Sequence, residues 1–182
     1  MQRSRGYLAA GLALGLLSAA AFAAVDLTPD AVTQATSLNP VTGEVAALTD
    51  GRTPDLDPAA PAFVWGSVGL LRVEWDRPIR LATIRVYLGV MDQYAVYGYL
   101  GGRFTETGQR QGGETPVFVK QGLGPLEPSG WFEIACPADT PIDNLGLQVT
   151  GGATLYEIQF LGPGSTAVVP ASLGLVKRAA GR

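Results

Sequence analysis

The sequence predicts an all-β fold, an antiparallel β-sandwich of jelly-roll type. From Leu71 onward apolar residues recur at every second position in short runs, and turn residues bound those runs. No stretch after Val25 sustains a helical period. In order, Leu71, Val73 and Trp75 alternate with Arg72 and Glu74, and Asp76-Arg77-Pro78 reads as a turn. Ile84, Val86 and Leu88 alternate with Arg85 and Tyr87. Tyr94 to Leu100 reads as a further strand and Val117 to Lys120 as a shorter one. Phe132, Ile134 and Cys136 alternate with Glu133 up to Pro137. Leu145, Leu147 and Val149 come next, and Leu155 to Leu161 reads as the final strand. Gly101-Gly102, Gly112-Gly113 and Gly151-Gly152 mark the joins. Seven or eight short strands at this spacing suit two stacked layers, each burying one face.

Ahead of the strands, Asp26 to Pro61 is rich in Pro, Thr, Ala and Asp, with little periodicity beyond Glu44–Leu48. It is expected to be irregular and wrapped against the domain. The organisation read from these shifts is a hydrophobic leader over 1–23, a lead-in over 24–43, the sandwich over 44–164 and a loose basic tail over 165–182. That tail carries Lys177, Arg178 and Arg182 with no acidic residue.

The leader admits two readings. Arg3 and Arg5 precede an uncharged stretch from Tyr7 to Val25, and Leu8–Leu17 has the length of a signal-peptide core. Ala21-Phe22-Ala23 supplies the small–x–small pattern for cleavage after Ala23. Tyr7–Val25 is equally long enough to remain in a bilayer as an anchoring helix, with Gly11, Gly15, Ala19 and Ala23 forming a small-residue ridge for a membrane partner. In both readings the basic end stays inside and the domain is exported, to the periplasm or the extracellular space.

Composition removes several classes of function. The chain has 182 residues, with 13 Lys and Arg against 16 Asp and Glu, no His and one Cys. Without His there is no His-dependent triad, imidazole metal site or imidazole proton shuttle. One Cys allows no internal disulfide. A net charge of −3 disfavours nucleic acid as a partner. Gly66-Ser67-Val68-Gly69 lacks the leading glycine of a nucleophile elbow, and Gly122-Leu123-Gly124 runs into Pro125 without a third glycine. No catalytic residue is assigned.

The order of signals resembles the discoidin-like, coagulation-factor type C family of galactose-binding-like β-sandwich domains. Ala47-Leu48-Thr49-Asp50-Gly51 looks like the family's opening aspartate–glycine loop, and Trp65 falls where such domains commonly carry a tryptophan. Leu71–Val86 resembles the paired strands that follow, and Asn144–Val149 with Ala153–Phe160 resembles the closing pair with its near-terminal glutamate. The resemblance covers about residues 44–162, while Met91–Ser129 departs from the pattern.

The resemblance implies one structural calcium ion between the first loop and the last strand. Asp50, Asp55 and Glu157 would supply side-chain oxygens, and Ala47, Arg52 and Tyr156 backbone carbonyls, a set suited to a hard cation. Without the resemblance, Asp50-Gly51 reads as a plain turn and Glu157 as a surface strand residue, and Arg52 brings an unhelpful positive charge. For a ligand, Tyr97, Tyr99 and Arg103, with Tyr87 and Arg85 on a neighbouring strand, would form an aromatic and arginine patch. Ordinary sheet surface is the alternative, since alternation puts Tyr and Arg outside anyway. Trp65, Trp75 and Trp131 read as packing residues.

The expected function is an exported, non-catalytic binding module for a glycan or a protein at the cell envelope. The alternative is an accessory subunit of an envelope membrane complex, anchored through Tyr7–Val25.

Overall fold

The computed structural model describes residues 25–37, 41–128 and 130–164. The leader up to Ala24 and the tail from Ser165 lie outside these, so the cleavage, anchor and tail expectations fall on residues that are not described.

The strands are β1 (Val32–Ser37), β2 (Val41–Thr42), β3 (Phe63–Trp65), β4 (Gly69–Arg80), β5 (Thr83–Tyr99), β6 (Arg103–Phe104), β7 (Arg110–Gln111), β8 (Phe118–Leu123), β9 (Gly130–Ala135) and β10 (Pro141–Leu161). A 3₁₀ turn, Val45–Thr49, follows β2 and buries Ala47 and Leu48. All pairings are antiparallel, and the alternating segments of the sequence become strands as expected.

Two long strands replace four short ones. The Ile84–Leu88 and Tyr94–Leu100 segments fall within the single strand β5, apart from Leu100 just beyond its end. Leu145–Val149 and Leu155–Leu161 both belong to β10. The Gly151-Gly152 pair, expected to end a strand, forms a bulge inside β10 instead. Both residues have positive φ, and the register against β5 shifts between Thr150 and Ala153. Glycine adopts that backbone without a Cβ penalty, so the strand turns a corner and keeps pairing.

The corner divides the sheet into two halves. In the first, β4 and the Tyr94–Tyr99 part of β5 flank the early part of β10, with β1 and β8 at the edges. In the second, β3 and the Thr83–Met91 part of β5 flank the later part of β10, with β2 and β9 outside them. Leu71, Val73, Val96 and Leu147 from the first half and Ile84, Val86, Ile158 and Phe160 from the second belong to one buried cluster. Trp75 meets Phe160 edge-on across that core, with ring centroids 5.4 Å apart. Burying each such side chain stabilises the fold by about 1.5–3 kcal/mol.

Two further local expectations are corrected. Asp76-Arg77-Pro78 lies inside β4 rather than in a turn. Between the pairs Asn144↔Glu74 and Ile142↔Ile79, β4 carries Trp75–Pro78 against the single residue Asp143, so the strand bulges there, with Asp76, Arg77 and Pro78 exposed while Trp75 stays in the core. The Asp26–Pro61 stretch, expected to be irregular, supplies β1, which pairs along β4 from Val32↔Glu74 to Ser37↔Gly69. An edge strand needs only backbone partners, so its apolar signal is weak. The same stretch closes the chain ends together: Leu27 N–H donates to the Phe160 carbonyl at 2.8 Å, and Gly162 N–H to the Val25 carbonyl at 2.9 Å.

Candidate functional site

The start of the described chain, the Asp50-Gly51 loop and the last strand meet at a cleft of ≈ 480 Å³ lined by Asp26, Thr28, Asp50, Gly51, Glu157 and Gln159 among others. Glu157 is only 3% exposed and accepts a hydrogen bond from Gly51 N–H at 2.9 Å. Burial pushes its carboxyl up from 4.5 to about 8, with the nearby Asp50 and Asp26 charges adding to the rise and the Gly51 amide opposing it. A buried acid held this high lacks positive charge nearby.

Of the residues expected around calcium, Asp50 and Glu157 share this cleft. Ala47 is buried in the 3₁₀ turn. Arg52 turns its guanidinium outward onto Asp57, 2.6 Å away, while its amide donates to Asp50 Oδ1 at 2.9 Å. The unhelpful charge is thereby drawn away. Asp55 does not line the cleft: it accepts the Thr53 hydroxyl and sits beside the Tyr87 phenol. The Tyr156 ring packs edge-on to Tyr87, with centroids 6.1 Å apart. Among the described residues, no three acidic or cysteine side chains converge closely enough to hold a metal ion.

The residues expected to form one aromatic and arginine patch are distributed over two faces. Arg85, Tyr87, Tyr97 and Tyr99 lie on the same strand, β5, not on neighbours, and the corner separates the first pair from the second. On the second half-sheet, the cross-strand rows Glu157↔Tyr87↔Trp131 and Gln159↔Arg85↔Glu133 place these side chains side by side. Tyr87 stands edge-on to Trp131, with centroids 5.5 Å apart, and the Arg85 guanidinium lies 4.5 Å from the Trp131 ring centre. Arg85 is buried, 3.1 Å from a Glu133 carboxylate oxygen, and donates to Gln159 Oε1 at 3.2 Å. Burial and then Asp55 push the Tyr87 phenol up. The result is a half-buried aromatic ledge of Trp131, Tyr87 and Tyr156, bordered by exposed carboxylates of Glu133 and Asp55.

On the first half-sheet Tyr97 remains half-exposed, whereas Tyr99 is covered. The β6–β7 hairpin folds over it: Phe104 packs edge-on at 5.6 Å, and the Arg110 guanidinium stacks 4.3 Å from the Tyr99 ring centre. Buried Arg72 donates to the Thr105 carbonyl, and Glu74 accepts the Phe104 amide at 3.1 Å. Arg103 starts the hairpin and is exposed.

The tryptophans split. Trp65 and Trp75 are buried, as expected, but Trp131 is half-buried on the ledge. The usable signal for Trp131 was its position immediately before the Phe132–Ile134–Cys136 inward set, which sends it outward. Cys136 packs against the core, and burial pushes its thiol up to about 12.

This arrangement is a galactose-binding-like β-sandwich, the class of fold that the sequence resembled. No family model matches the sequence, and no curated protein matches it in sequence. Solved structures match in fold. A fucose-binding module from Streptococcus pneumoniae has a TM-score of 0.55 at 10% identity, covering 76% of this chain and 95% of that one. Chitosan-binding module 1 from a chitosanase/glucanase of Paenibacillus sp. IK-5 has a TM-score of 0.52 at 13% identity, covering 76% and 99%. A family 32 carbohydrate-binding module from C. perfringens, in complex with galactose, has a TM-score of 0.50 at 12% identity, covering 76% and 98%.

Proposed function

We propose that this protein is an exported, non-catalytic glycan-binding module. The observation that carries the reading is the ledge of Trp131, Tyr87 and Tyr156 beside Arg85, Glu133 and Asp55. Aromatic rings offer apolar surface to the C–H faces of a sugar, and flanking carboxylates accept from its hydroxyls, while the buried Arg85 guanidinium holds Trp131 and Glu133 in place. Holding the three rings, Arg85 and Glu133 on adjacent strands limits the conformational entropy lost on binding. The fold shared with fucose- and chitosan-binding modules and with a galactose complex supports the same class. Retention on a glycan array tests it. Trp131→Ala and Tyr87→Ala should each weaken retention, and an array without hits overturns the reading.

A structural calcium ion at the chain-closing cleft is part of the proposal. Its chemistry suits the buried Glu157 carboxyl and Asp50 across the cleft, with backbone carbonyls needed to complete the coordination. Chelation should lower the melting temperature, and Asp50→Ala should abolish that response; no response to chelator removes the ion. Export is tested by fractionation. A mature product starting near Ala24 supports cleavage, and an intact mass near 19.0 kDa in the membrane fraction supports the anchor. Recovery in the cytosol overturns export.

A further inference from the structure

The outer face of the first half-sheet carries a second groove, ≈ 230 Å³, across the corner of β5 from the ledge. Its floor is Ala95. Along β5, Gln93 and Tyr97 flank that alanine on the same face, and across the sheet it is in register with Gln148 of β10 and Gln121 of β8. Thr150 closes one corner, opposite Gln93. A small side chain ringed by long ones is what makes the depression.

Three features define what would fill it. Among the described residues, no charged one lines the groove. Among the described residues, none of the Gln93, Gln121 and Gln148 amides has a hydrogen-bond partner within the protein, so each keeps two donors and an acceptor free. The row from Gln148 through Ala95 to Gln121 crosses three strands and opens at β8, which among the described residues pairs only with β5 and leaves its far edge free.

We propose that this groove is a second carbohydrate site, taking a stretch of a neutral oligosaccharide laid across the strands. Tyr97 faces a sugar ring, and the glutamine amides pair with its hydroxyls as both donors and acceptors. Anionic sugars find no cation there, and a peptide strand laid on the groove floor would find the backbones of β5 and β10 already paired, while one added at the free edge of β8 would leave the floor unfilled. The inference rests on the glycan-binding reading but assigns a different face, with a neutral ligand.

The test is isothermal titration of the full-length protein with neutral gluco-, manno-, xylo- and N-acetylglucosamine hexasaccharides and an oligogalacturonate comparator. Ala95→Trp fills the floor from the solvent side, and Gln121→Glu places a charge in the groove without changing its volume. Each should weaken neutral binding roughly tenfold or more, while Trp131→Ala leaves the groove's contribution in place. If Ala95→Trp fails to fold, Gln121→Glu alone carries the test. Neutral binding unchanged in the groove variants but lost in Trp131→Ala overturns this site and leaves the ledge standing. Preference for the oligogalacturonate overturns the neutral assignment, and absence of all glycan binding overturns both sites.

Discussion

Replacing Glu157 by glutamine should raise stability at alkaline pH and leave it nearly unchanged at acid pH. The carboxyl is buried, and its pKa rises from 4.5 to about 8. Between those values the folded state retains a proton that the unfolded chain has released. Stability therefore falls as pH rises through this window, and the loss is complete above about 8. At about 1.4 kcal/mol per pH unit, the full window amounts to at most about 5 kcal/mol. Glutamine keeps a carbonyl oxygen for the Gly51 amide and removes the charge. In chelator, thermal melts of the two proteins should coincide near pH 4 and separate near pH 9, with Glu157→Gln higher by roughly 10–20 °C. Parallel pH profiles would refute the argument that burial sets this carboxyl. Adding calcium near pH 8 should then raise the wild type and not the variant, since the ion stabilises the charged form it binds.

Other outcomes follow from packing. Gly69→Ala would place a Cβ 2.2 Å from the Trp65 ring, so it should cost roughly 1–3 kcal/mol in urea unfolding. Gly98→Ala meets the Phe118 ring at the same distance and should detach β8, detected as faster amide exchange from Phe118 to Leu123. The Cys136 thiol, pushed up to about 12, should resist alkylation at pH 8 until denaturant is added. Arg110→Ala should uncover Tyr99, raising its accessibility to iodination.

The period-two runs were a sound guide because each strand has one face against the core. Leu71, Val73 and Trp75, or Ile84, Val86 and Leu88, are buried while their neighbours point outward or under the hairpin. Continuity through Gly151-Gly152 was not legible, because a bulge and a turn ask the same residues of the sequence. β1 escaped notice because it contributes backbone pairing more than apolar surface. At the site, the resemblance paired Asp50 with Glu157, and in the structure the Gly51 amide, next to Asp50, donates to Glu157. Nothing in the sequence joins Gln93, Gln121 and Gln148. Strand register alone makes them neighbours, and register is a long-range property.

Val25 and Gly162 are hydrogen-bonded neighbours, so the polypeptide enters and departs at one pole. Anything joined beyond Val25 or Gly162 holds the sandwich by the same small handle. Tension between the two attachments would then be carried by a few amide links there, sparing the two half-sheets from deformation.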